Sequence, residues 1–208
     1  MTRDDLPELP PGAFAKQDAA SDLDFYADAR LVTHIDERAI AALTDCYRRT
    51  LPPGGVILDL MSSWVSHLPA DVAYEEVIGH GMNEEELEAN PRLDRWFVQD
   101  LNDDPILNLD DESLDAAMIC VAIQYLQRPV EVLTEVARAL RPGAPLVISF
   151  SNRCFPTKAV AIWRALDDEG HVQLVNLYLR KAGFAAVEAD LLMDGQTSDP
   201  LIVVTGRR

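Results

Sequence analysis

Beyond residue 54 the chain alternates short, largely apolar runs with segments of helical periodicity, and this alternation constrains the fold more than any other feature. Runs at 55–60, 74–78, 95–98, 114–121 and 145–150 read as strands, because they are short and bounded by turn residues. Between them, Asn83 precedes three glutamates, the pattern of an N-cap with carboxylates in the first helical turn. Residues 130–140 place Leu133, Val136, Ala137 and Leu140 on one helical face, and Arg141-Pro-Gly ends that helix. Residues 157–166 and 171–183 read as further helices. Strands that alternate with helices form a parallel sheet covered on both faces. The last two runs, 185–192 and 201–205, have no helix between them and are therefore antiparallel neighbours. The expected fold is α/β: a Rossmann-like, mostly parallel seven-stranded sheet with a last antiparallel hairpin and helices on both faces.

The first fifty residues follow another pattern. Residues 1–20 carry Pro7, Pro10, Pro11 and Gly12 in polar company and read as an extended arm. Ser21-Asp-Leu-Asp opens a helix expected to run through Phe25, Tyr26 and Leu31 to Ile35, and a second spans 37–49 before Leu51-Pro-Pro-Gly-Gly stops it. The expected organisation is an N-terminal arm and helical extension over 1–50, acting as a lid, and one compact domain over 51–208.

Charge narrows the partners. Eighteen basic side chains against 35 acidic ones give a formal charge of −17, which repels phosphate backbones and anionic lipid. Nucleic acid and membrane surfaces are therefore not expected partners. No apolar stretch approaches the roughly 20 residues of a membrane helix, and the opening Met-Thr-Arg-Asp-Asp does not read as a secretory leader. Three scattered cysteines, Cys46, Cys120 and Cys154, form no CxxC pair, which suits a reducing cytoplasm rather than a structural zinc site.

The run from Leu114 through Asp-Ala-Ala-Met-Ile-Cys-Val-Ala-Ile-Gln-Tyr-Leu, followed by Pro129-Val-Glu-Val-Leu-Thr-Glu-Val-Ala-Arg-Ala-Leu-Arg-Pro-Gly, resembles the class I S-adenosylmethionine-dependent methyltransferases of the type 11-like kind. It looks like their fourth strand, the helix after it and the turn before the fifth strand, and the similarity extends over about residues 51–205. The resemblance implies S-adenosylmethionine as cofactor and residues that would hold it. In Asp59-Leu-Met-Ser-Ser-Trp the family's acidic residue stays at Asp59, but Met61, Ser63 and Val65 stand where glycines are usual. A side chain in that turn must collide with ligand or adopt positive φ. Small Ser62 and Ser63 would keep the turn narrow. The chain is also similar to a methyltransferase-like group with an Asp-Leu-(variable)-Ser-Ser-Trp pattern.

At the end of the second strand the family's ribose-binding acid would fall near Gly81, so Asn83 or His80 is left for the ribose and Met82 for adenine. Asp100 and Leu101 resemble the adenine contact, and Cys120 and Val121 complete the implied cofactor set. For the acceptor, the candidates are Gln124 after strand four and Arg153 after strand five, where a guanidinium would hold a carboxylate bidentately. Tyr26, Arg30 and His34, four apart, would share a face of the first helix, with His34 as general base; docking of that helix through Phe25, Leu31 and Ile35 is the plainer alternative. Asp167, Asp168 and His171 read as a helix start, and no metal is expected. The expected activity is methyl transfer to a small molecule. The alternative is an inactive methyltransferase-like domain serving as a binding or scaffold protein, suggested by the missing glycines and ribose acid.

Overall fold

The computed structural model describes residues 6–208; the opening residues 1–5, on which the leader reading rests, lie outside the described part. Seven strands form one sheet: β1 (Val56–Leu60), β2 (Glu76–Gly81), β3 (Arg95–Val98), β4 (Ala116–Cys120), β5 (Pro145–Phe150), β6 (Ala185–Met193) and β7 (Leu201–Arg207). Their order is β3-β2-β1-β4-β5-β7-β6. The first five pair in parallel, whereas β7 runs antiparallel to both β5 and β6. Strand alternation sends Ile57, Ala116, Met118 and Val147 to one face, where α2 (Glu37–Thr50) buries Ala39, Leu43, Cys46 and Tyr47. Leu58, Ala117, Ile119, Leu146 and Ile148 face the other side, under α4 (Pro129–Ala139) and α6 (Asp168–Lys181). The α/β sheet with its final hairpin and helices on both faces is thus present as expected.

Four expectations need correction. The helix opened by Ser21 ends after one turn, as α1 (Asp22–Phe25). Beyond it, the Tyr26 and Ala27 carbonyls accept from the Asn83 amide and the Arg30 N–H donates to Glu86, so tertiary bonds take groups that a helix would use. Strand β2 begins two residues later than expected and continues through Gly79-His80-Gly81. These glycines mark close approach: a Cβ on Gly79 would lie 2.3 Å from a Leu93 methyl carbon, and one on Gly81 would lie 2.7 Å from the Ser62 carbonyl oxygen.

The helix expected over 157–166 shrinks to α5 (Ala161–Ala165), because Thr157 accepts from the Asp18 N–H and Val160 bridges to Lys16. The N-terminal arm is therefore part of the packed body, with Leu6 buried and Phe14 tilted against Tyr178. Helix α6 instead starts three residues early, capped by Asp167, whose carboxylate accepts from the Gly170 N–H. The remaining helix, α3 (Glu84–Ala89), is capped by Asn83 as expected.

Candidate active site at the carboxyl ends of the strands

In an open α/β sheet the ligand crevice lies outside the carboxyl ends of the strands, where the strand order reverses. Here that point falls between β1 and β4, and a cavity of about 600 Å³ opens there. Its size is within the ordinary range for a small-molecule site. Asp59, Met61, Ser62, Ser63, Gly81, Met82, Asn83, Asp100, Leu101, Cys120 and Val121 all line it, as do Tyr26, His34 and Arg153.

Gln124 does not. It is 1% exposed, and its amide donates to the Val121 carbonyl at 2.9 Å, because the short 3-10 turn over Ile123–Tyr125 points it inward. That residue is removed from the candidate acceptor contacts.

The turn after β1 shows how the chain manages without glycine. Met61 adopts φ 60, the left-handed conformation that a glycine would take there without steric cost. Its N–H donates to His80 Nδ1 at 3.1 Å, and the Ser62 N–H donates to the His80 carbonyl at 2.6 Å. With Nδ1 accepting, Nε2 carries the proton and donates to the Gln99 carbonyl at 3.0 Å. His80 thus fastens the turn of β1 to the end of β3, and burial pushes its pKa down to about 4. This engagement takes both ring nitrogens, so no ribose contact is left to it.

No helix follows β1. Residues 61–75 form a loop held by Asn90, which donates to the Ser63 carbonyl and to Ser66, and by Arg92, which donates to the Val72 carbonyl. Asp59 is buried at the head of this loop and accepts from the Ser62 hydroxyl at 2.6 Å. Burial pushes its pKa up to about 7, against the opposing hydrogen bonds from Ser62 and Ser66.

Asn83 is committed elsewhere. Its side-chain oxygen caps α3 on the Glu86 N–H, and its amide ties down Tyr26 and Ala27. A ribose contact through Asn83 is therefore withdrawn. The acid that sequence reasoning missed is Glu86, a buried residue lining the cavity with Oε1 on the Arg30 N–H at 2.7 Å. It was hidden among three consecutive glutamates that read as capping charge. Asp100 accepts from the Asn102 N–H at 2.9 Å, so one oxygen shapes its own turn.

A second set of groups shares the cavity. Tyr26, Arg30, His34, His67, Cys154 and Phe155 also line the cavity, although no helix stripe carries them. His67 sits at φ 54, and burial with the nearby His34 pushes its pKa down to about 4. Nothing local in the sequence marks it. Burial also raises the Cys154 thiol and the Tyr26 hydroxyl, so both stay protonated near neutrality. Arg153 lies at the mouth with its guanidinium on Asp199 at 2.8 Å. Asp199 and Asp36 in turn exchange backbone N–H to carboxylate bonds.

A seven-stranded sheet of this order, with its ligand crevice at the β1–β4 switch point, defines the class I S-adenosylmethionine-dependent methyltransferase fold. Residues 63–148 match the methyltransferase domain family model, and the fold is the one seen in S-adenosylmethionine-dependent methyltransferases. The chain is similar, at 31% identity over 96 residues, to the malonyl-[acyl-carrier protein] O-methyltransferase of Methylococcus capsulatus, covering 43% of this chain and 35% of that protein. It is 27% identical over 104 residues to the biotin biosynthesis bifunctional protein BioHC of Teredinibacter turnerae, covering 50% of this chain and 18% of that one. The chain thus spans about a third or less of these relatives.

Among solved structures, a chain from the complex between the Haloferax volcanii Trm112 methyltransferase activator and a methyltransferase superposes with a TM-score of 0.63 at 17% identity, covering 82% of this chain and 90% of that one. An S-adenosylmethionine-dependent methyltransferase from Mesorhizobium loti gives 0.56 at 20% identity, covering 81% and 98%.

Proposed function

We propose that this chain transfers a methyl group from S-adenosylmethionine to a small-molecule acceptor. The observation that supports the reading best is the set of acids lining the cavity: Asp59 in β1, Glu86 in α3 and Asp100 after β3 share it with Tyr26, His34, His67 and Phe155. The acids suit a cationic, adenine- and ribose-bearing ligand. Asp100 would take the adenine amino group, the Leu101 N–H a ring nitrogen and Glu86 the ribose, while Met82 would cover the adenine face. Met61 already holds the left-handed turn, so the backbone approach that glycine ordinarily supplies is retained. S-adenosylmethionine supplies an electrophilic methyl group on sulfur.

The aromatic and imidazole residues of the cavity would exclude water and align the acceptor. Asp22, Tyr26, Arg30 and residues 32–36 contribute to this lining, which supports reading the N-terminal extension as a lid. The Trp64 indole donates to the Val32 carbonyl at 2.9 Å, securing that cover to the β1 loop. The formal charge of −17 supports a partner other than nucleic acid or an anionic membrane surface. Among the described residues no helix is long and apolar enough to cross a membrane. Three free cysteines support a cytoplasmic setting.

One observation favours the alternative of an inactive binding domain: no helix follows β1, so no helix N-terminus faces the cofactor turn. Incubation with methyl-labelled donor and a panel of small hydroxyl, amine, thiol and carboxylate acceptors separates the two. Labelled product supports transfer. Binding of S-adenosylhomocysteine without label in any acceptor would favour the binding-domain reading.

A further inference from the structure

Positive charge in the cavity is distributed differently from what the sequence suggested. Arg153, the expected anion holder, is neutralised by Asp199. Arg30 has no carboxylate within ion-pair distance among the described residues. Its guanidinium donates to the Phe25 carbonyl at 2.7 Å and weakly to the Asp28 carbonyl at 3.5 Å. It lies 4.7 Å from the Phe25 ring centroid, 5.7 Å from that of Tyr26 and 5.6 Å from that of Phe155. A guanidinium has five N–H donors, so about three remain for a ligand. His34 stands edge-on to the same Phe155 ring at 5.6 Å between centroids. Neither imidazole of His34 and His67 has a hydrogen-bond partner among the described residues, and both line the cavity with Arg30.

We propose that Arg30, His34 and His67 form an oxyanion-binding subsite that holds a carboxylate or phosphate group of the acceptor. The inference rests on the methyl-transfer reading for the word acceptor, but the subsite itself is defined by charge and geometry. Three cation-capable groups line one cavity: burial and Arg30 lower the pKa of His34, and burial and His34 lower that of His67. An oxyanion there offsets both repulsions, and aromatic walls around Arg30 strengthen its field by excluding water.

The other ionisable groups facing this space are Glu86 from α3, Tyr26 and Cys154, with Asp36 and the Arg153–Asp199 pair at the mouth. Glu86 is engaged through the Arg30 main-chain N–H rather than its guanidinium. The fixed anions thus sit beside the subsite without filling it.

The chain has four histidines, which makes the test direct. Their imidazole resonances are titrated in the full chain with sulfate as the tetrahedral anion, with formate as the carboxylate, and with chloride at matched ionic strength. Sulfate or formate should raise the pKa of His34 and His67 by about half a unit or more over chloride. The more effective anion identifies the acceptor group as phosphate or carboxylate. His80 and His171, held by the Gln99 and Trp163 carbonyls, should not move. Arg30→Gln should abolish the response, whereas Arg153→Gln should retain it.

Unmoved His34 and His67 with both anions would overturn the proposal, as would an equal response in Arg30→Gln. If Arg30→Gln loses the native His80 and His171 signals, the wild-type comparison with chloride decides alone. No donor or donor analogue enters the titration, so its failure is distinct from failure of methyl transfer.

Discussion

His80 shows how much of the site one side chain sets. It is 1% exposed and joins three strand ends by donating from one ring nitrogen and accepting at the other. His80→Ala leaves the Met61 N–H and the Gln99 carbonyl without partners in a buried place. Each unmatched group costs roughly 1–3 kcal/mol, so urea unfolding should show a loss of about that size or more. Gly81→Ala should also destabilise, because its Cβ would be driven against the Ser62 carbonyl rather than a movable side chain. A loss of roughly 1–3 kcal/mol is expected, and unchanged stability would mean that the turn is looser than described.

The pH response carries two signs. His67 and His80 have folded pKa values depressed to about 4, so their contribution is present above the ordinary histidine value and is lost as pH falls through about 4. Asp59 is raised to about 7, so its contribution is full below the ordinary carboxylate range and is lost as pH rises through about 7. Asp59→Asn should therefore be more stable than the wild type above neutrality, by roughly 4 kcal/mol at most, with the gap closing towards pH 4. Ligand-free urea titrations across that range check the sign; a gap that widens on acidification would contradict it.

At the level of elements, the short apolar runs were readable because a buried strand needs little beyond local pattern. The misreadings share one cause: distant groups claimed local backbone. Residues 26–35 have helical spacing, yet Asn83 and Glu86, more than fifty positions away, take the hydrogen bonds. Gly79 and Gly81 lie beyond the strand expected over 74–78 but are the close contacts of a continuing strand. In the site, the resemblance pointed to Asp59, within β1, and Asp100, after β3, and both line the cavity. The pairing of Arg153 with Asp199, 46 positions on, and the inward turn of Gln124 were not legible in the sequence.

The N-terminal arm has a fastening that composition only hinted at. The chain has three lysines, and all of them hold residues of this arm: Lys16 on Asp22, Lys158 on Asp18 and Asp22, and Lys181 on Glu8. Lys158 is fully buried and also donates to the Ala20 carbonyl. Lys158→Ala leaves Asp22 without this partner. It should speed amide exchange over residues 16–30 while strands β1, β4 and β5 stay protected. Uniform deprotection would instead make the arm integral to the whole fold.

For the whole molecule, the net charge and the cavity tell complementary stories. Acids dominate the composition, yet the crevice that Asp59, Glu86 and Asp100 line also holds Arg30 and two imidazoles. The central claim is that this crevice binds the methyl donor. It is tested most directly by thermal melting with S-adenosylhomocysteine. At about 100 times its dissociation constant the ligand should add roughly 2.7 kcal/mol, a rise of several degrees for a domain of this size, and Asp100→Ala should shrink that rise at the same concentration. An unchanged melting temperature at millimolar ligand would contradict the account.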